Sequence, residues 1–149
     1  MKATILLPAD HDALEKVASD LKQRIESKFK GMKVSILDLD EMVPDIFLNN
    51  QLILIGTPTV KNDIYWPIQV KIDGMMHKIL KNDFSSSCIS AFTIFSSEAD
   101  ARQAVDALLW TFHETTAKVV DGLCIIEGEG DLPRDARIDT FLEHLKRHV

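Results

Sequence analysis

Three carboxylates, Asp10, Asp12 and Glu15, and one histidine, His11, crowd into the segment Pro8–Glu15. The segment follows an apolar run, Ala3–Leu7, and leads into residues with helical apolar spacing. A strand that turns straight into a helix at the head of an α/β chain is the usual seat of a phosphate. The first-turn N–H groups are unpaired there, and the helix dipole favours an anion. Here the turn has no glycine and no hydroxyl side chain. Asp12-Ala13-Leu14-Glu15 instead has the spacing of a capping box. Asp12 is therefore expected to accept from the helix's own N–H groups and to stand where a phosphate would. Two like unit charges ~4 Å apart repel by ~4 kcal/mol at an effective dielectric near 20, so the turn is expected to reject phosphate.

No other combination of residues supports catalysis. Asp10 and Asp12 have the look of a magnesium-holding acidic pair, but two carboxylates alone make a weak site. A receiver domain would also need an aspartate after the third strand and a lysine after the fifth. The chain has Gly56-Thr57 and Glu127-Gly128 at those places. Neither Cys88 nor Cys124 has the arginine that a phosphate-loop phosphatase requires, and His11 lacks the following glycine of a cobalamin-binding module. His144 and His148 lie one helical turn apart, but two ligands do not complete a metal site. The expectation is no catalytic residue and no metal.

The elements that must position these residues follow from periodicity. After Ala3–Leu7, the residues Leu14, Val17, Ala18, Leu21 and Ile25 share a helical face, and Gly31 ends that segment. Lys33–Leu39 is the second strand, and a short helical turn is expected after Pro44. Leu52–Ile55 is the third strand, followed by Gly56-Thr57-Pro58-Thr59 and a polar, aromatic loop through Trp66. Ile68, Ile72, Met75, Met76, Ile79 and Leu80 fit a helix in spite of Gly74, with both methionines read as core. Cys88–Phe95 is the fourth strand. A helix opening at Ser97-Glu98 carries Ala101, Val105, Leu108, Leu109 and Phe112. Leu123–Ile126 is the fifth strand, Glu127–Asp131 an acidic turn read as solvated, and Pro133 opens the last helix.

Five apolar strands separated by helices imply a parallel sheet covered on both faces, because parallel neighbours need crossover connections. The expected fold class is α/β, a doubly wound five-stranded parallel sheet in the order 2-1-3-4-5, forming a single domain over residues 1–149. Ligands of such sheets bind beyond the carboxyl ends of the strands, where the strand order reverses. The turns to inspect are Pro8–Glu15, Gly56–Trp66 and Phe95–Ala99.

With those residues in place, the chain resembles the flavodoxin-like family, most closely the flavodoxin domain of the A-type flavoproteins (flavodiiron proteins). The similarity is carried by Asp45-Ile46-Phe47, by Leu52–Ile55 running into Gly56-Thr57-Pro58-Thr59, by Asn62 with the following aromatics and Pro67, and by Ala91-Phe92. The resemblance implies FMN as cofactor, with Thr57, Pro58, Thr59, Asn62 and Trp66 as the residues that would contact it. Tyr65 or Trp66 would stack on the flavin ring, although an aromatic beside proline at a helix start is more often plain packing. The resemblance also implies where the chain departs. The family's hydroxyl- and glycine-rich phosphate loop is replaced by Ala9, Asp12, Ala13 and Leu14. Its glycine-rich fourth loop is replaced by Thr93-Ile94-Phe95-Ser96-Ser97.

Composition narrows the function classes. The chain has 149 residues, 46% of them hydrophobic, and a net charge of −6, which excludes broad attraction to nucleic acid or anionic lipid. No apolar run reaches the length of a membrane span. The run beginning at Met1 carries no cleavage signal, so a cytoplasmic protein is expected, with Cys88 and Cys124 as buried free thiols. Two readings follow. One is a flavodoxin-like module with a degenerate phosphate loop, no tight flavin binding and a role as accessory or protein-interaction partner. The other is an FMN-binding electron carrier that serves a redox partner.

Overall fold

The computed structural model describes residues 1–59 and 64–149. The chain alternates strand and helix throughout: β1 (Lys2–Leu7), α1 (Asp12–Lys28), β2 (Lys33–Asp38), α2 (Pro44–Asn49), β3 (Leu52–Gly56), α3 (Trp66–Leu80), β4 (Cys88–Phe95), α4 (Glu98–Trp110), β5 (Lys118–Val119), β6 (Leu123–Ile126) and α5 (Asp131–Lys146). All strand pairs are parallel, in the order β2-β1-β3-β4-β5, with β6 also paired to β4. The expected order holds, and the strand-order reversal lies between β1 and β3.

Strand alternation divides the core into two layers, because successive side chains point to opposite faces. Ile5, Leu52, Leu54 and Phe92 pack under α1 and α5, whose stripes are Leu14, Val17, Leu21 and Ile25 and Ile138, Phe141, Leu142 and Leu145. Leu6, Ile53, Ile55 and Ile89 pack under α2, α3 and α4. Gly74 lies within α3 with open space around it, Met75 is buried, and Met76 packs against the core. Both cysteines are buried and free.

The expected fifth strand, Leu123–Ile126, forms as β6, and a further two-residue strand, β5, precedes it beside β4. The interruption between the two has a steric cause. A Cβ on Gly122 would lie 2.1 Å from Val105 Cγ1 and 2.6 Å from the Ala91 carbonyl oxygen. The backbone can approach that closely only without a side chain. The buried Ser90 hydroxyl fixes the break, lying 2.8 Å from the Val120 carbonyl and 3.2 Å from that of Asp121. The last helix also starts earlier than expected, at Asp131. Pro133 sits in its first turn, where the missing N–H has no helical partner to lose.

Candidate functional site

The capping box expected at the head of α1 does not form. His11, not Asp12, is the N-cap residue, and no side chain caps the helix; Asp12 is its first residue. The first helical bond runs from Glu15 N–H to the His11 carbonyl at 3.0 Å. Asp12 sits one residue too far along to turn back on the N–H groups. The offset comes from Asp10, which takes φ 64° and is the one described non-glycine residue with positive φ. Aspartate tolerates this left-handed region better than most side chains. Asp10 thus makes the turn that would ordinarily call for glycine. Asp10, Asp12 and Glu15 are all exposed.

The second loop is built differently. Thr57 is buried, and its N–H continues the sheet by donating to the Phe92 carbonyl at 3.0 Å. Its hydroxyl donates to the Pro58 carbonyl at 2.9 Å. Thr93, fully buried on β4, donates to the Thr57 carbonyl at 2.5 Å, and its oxygen lies 3.0 Å from the Thr59 hydroxyl. A hydroxyl has a single proton. Since Thr93 gives its proton to Thr57, Thr59 is the donor to Thr93. All three protons are spent inside the protein, and Thr59 turns only lone pairs outward. Beneath them, a Cβ on Gly56 would come 2.7 Å from the ring of Phe92, so β3 and β4 meet there backbone against aromatic ring.

The aromatics separate into two roles. Tyr65 is partly buried against the core, and its ring meets that of His11 edge-on at 5.8 Å between centroids, which joins the first and second loops. Trp66 opens α3 and is 70% exposed. It therefore does not have the plain packing role expected of an aromatic beside proline. Asn62 lies outside the described residues. In the fourth loop, Ser97 caps α4 by accepting from Asp100 N–H.

The acidic turn after β6 is not simply solvated. Glu129 accepts from Ile126 N–H at 3.4 Å and from Arg137 at 2.9 Å, and Arg137 also reaches Glu98 at 3.2 Å. Arg102 donates to the Gly122 carbonyl at 3.1 Å. Side chains thus cover polar backbone groups along the outer edge of β6, beside a cavity of about 540 Å³ between α4 and α5. Burial pushes the Cys88 thiol up from 9.0 to about 11 and the Cys124 thiol upward as well, so neither is poised as a nucleophile. His148 Nδ1 lies 3.0 Å from the His144 carbonyl. Among the described residues no three His, Cys, Asp or Glu side chains gather as a metal site, and no helix is long and apolar enough to cross a membrane.

No protein-family model matches the sequence, and no curated protein matches it. Solved structures do match. The chain is similar to oxidised flavodoxin 1 from Bacillus cereus, with a TM-score of 0.76 and 18% identity over 98% of each chain. It is similar to a Fusobacterium nucleatum flavodoxin bound to flavin mononucleotide, with a TM-score of 0.72 and 12% identity over 98% of this chain and 97% of that one. The fold is flavodoxin-like. The rubredoxin oxygen:oxidoreductase of the anaerobe Desulfovibrio gigas also matches, with a TM-score of 0.72 and 13% identity, over 98% of this chain but 35% of that one.

In a flavodoxin-like fold the described turns meet at the carboxyl edge of the sheet, where β1 and β3 diverge. Of the residues implied by sequence, Thr57, Pro58 and Thr59 lie together there, and Trp66 stands at the rim. Thr93 and the His11–Tyr65 contact were not singled out in the sequence. Thr93, one of two hydroxyl residues in the mostly apolar run of β4, was the available signal for the first. Nothing in the sequence signalled the second, since the two rings are 54 positions apart.

Proposed function

We propose that this chain is a flavin-binding electron carrier, acting as one flavodoxin-like domain over residues 1–149 and serving a protein redox partner. FMN is the flavin held by one of its structural neighbours. The observation that carries the reading is the uncapped head of α1. Loss of the seat to an internal carboxylate was the main reason to regard the module as cofactor-free, and Asp12 does not take that position.

The residues present fit the two ends of FMN unequally. At the ring end, Trp66 offers an exposed aromatic face. Tyr65 is braced by His11, and Thr59 offers acceptor lone pairs to a hydroxyl or ring N–H. Thr57 and Pro58 hold the loop in place through their internal bond. At the phosphate end the fit fails. The turn there carries the exposed carboxylates Asp10, Asp12 and Glu15, with His11 among them. A bound flavin supplies electron transfer; the chain's own residues supply a stacking face, a fixed loop and acceptor groups.

Purification from a flavin-replete host tests the reading. A yellow preparation, or saturable quenching of flavin fluorescence on titration, is expected. A colourless protein that binds neither FMN nor riboflavin would leave the accessory-module reading, which the exposed carboxylates of the first turn favour.

A further inference from the structure

The two edges of the sheet are closed to different degrees. At β6, Cys124 is 2% exposed, Arg102 donates to the Gly122 carbonyl, and Glu129 accepts from the Ile126 N–H. β2 is the opposite edge, and Lys33, Ser35 and Ile36 along it are exposed. The Lys33 N–H donates inward, to the Met1 carbonyl. In a parallel ladder alternate residues bond to one side, so Val34, Ile36 and Asp38 turn their N–H and C=O groups outward. Carboxylates occupy two of these N–H groups. Glu26 of α1 accepts from Val34 at 3.3 Å, and Glu41, in the 3₁₀ turn Leu39–Glu41, accepts from Asp38 at 3.0 Å. Among the described residues nothing accepts from the Ile36 N–H between them.

We infer that β2 is a self-pairing edge, that the partner it fits is β2 of a second copy of this chain, and that Glu26 and Glu41 hold the two copies apart. An open strand edge is a template for another strand unless charge or cover blunts it. The register selects the occupant. Two β2 strands set antiparallel about a two-fold axis at Ile36 would exchange N–H and C=O bonds between their Ile36 residues. Two positions on, Val34 of one copy would face Asp38 of the other, again with both bonds exchanged. Those are the two amides that the carboxylates occupy. The same geometry would bring Glu26 of one copy against Asp38 and Glu41 of the other, at both ends of the pair, so like charges converge. Asp38 is held in place there, since its carboxylate accepts from the Asp40 N–H at 2.8 Å. Lys33 lies on the other face of the strand, in a hollow shared with Lys2 and Asp45. Backbone complementarity therefore favours a second copy, and the two glutamates oppose it.

The test is the mass of the full chain in solution, by light scattering at about 0.1 mM, a concentration at which exposed strand edges associate. The parent is expected to be a monomer. The double variant Glu26→Ala/Glu41→Ala, confirmed as folded by circular dichroism, is expected to double in mass. Adding Ile36→Pro to that variant is expected to restore the monomer. Proline removes the outward N–H at the centre of the pair and leaves the inward bonds to β1 in place. If the alanine variant does not fold, Glu26→Gln/Glu41→Gln, which removes the charges alone, takes its place with the same expectation. A parent that is already a dimer overturns the inference, and so does a folded double variant that stays monomeric. A dimer that survives Ile36→Pro overturns it as well, because the contact then lies elsewhere. None of these readouts depends on a flavin.

Discussion

The two loops that flank the strand-order reversal are made of opposite materials. The β1–α1 turn is exposed carboxylate on a strained backbone, with no side chain closing the helix end. In the β3–α3 connection, the described residues Thr57–Thr59 present hydroxyl and carbonyl groups, with Thr57 buried and tied to β4 and each threonine proton assigned. One turn is held by the strand and helix on either side of it; the other is held by its own hydrogen bonds. The lesson is that polar residues at a ligand edge divide by burial. Buried ones must be satisfied internally and become structure. Exposed ones are free to set which charges come near.

Breaking the closed side should have the largest effect. Phe92→Ala removes the ring beneath Gly56, and a loss of about 3–5 kcal/mol is expected from urea denaturation. The buried start of the same strand gives a pH handle. The Cys88 thiol titrates near 9.0 when unfolded and about 11 when folded, so the unfolded chain ionises first as pH rises. The stabilisation is complete below pH 9 and is lost through pH 11, amounting to roughly 2–3 kcal/mol. Denaturation of the parent and of Cys88→Ala at pH 8 and pH 11 should show their difference shrinking by that amount.

Thr93→Val tests the hydrogen bonds without emptying the site. It removes the donor to the Thr57 carbonyl and the acceptor for Thr59, and should cost about 1–3 kcal/mol. A smaller loss, within error of zero, would mean that the two loops differ less than their hydrogen bonds suggest. On the open side, Asp12→Asn removes a charge that favours the positive helix end and nothing else. Its expected cost is only about 0.3–1 kcal/mol, measured as a small drop in melting temperature. A loss as large as that of Thr93→Val would show that Asp12 does form a cap in solution.

Much of the fold was legible because burial imposes a period. Leu52–Ile55 had to be a buried strand, and the face shared by Leu14, Val17, Leu21 and Ile25 had to be a helix stripe. With parallel strands and right-handed crossovers, these patterns leave few strand orders. The short extra strand β5 and the interruption before Leu123 were hidden, because the crowding of Gly122 comes from Val105 and Ala91 on other elements. Trp66 was misjudged for a similar reason. Its neighbour Pro67 marks a helix start, but only the packing of α3 decides which side of that start faces water.

The sequence by itself therefore determined the order of elements, the two-layered core and the place of the Gly56-Thr57-Pro58-Thr59 turn, since local pattern and chain connectivity suffice for those. It also placed three carboxylates beside the first helix. Only the tertiary structure decided what those groups do. Asp12 misses the cap because Asp10 bends the backbone first. Thr59 becomes an acceptor because Thr93, 34 residues away, already gives its proton to Thr57. A residue's type fixes which hydrogen bonds it can make; its neighbours in space decide which remain.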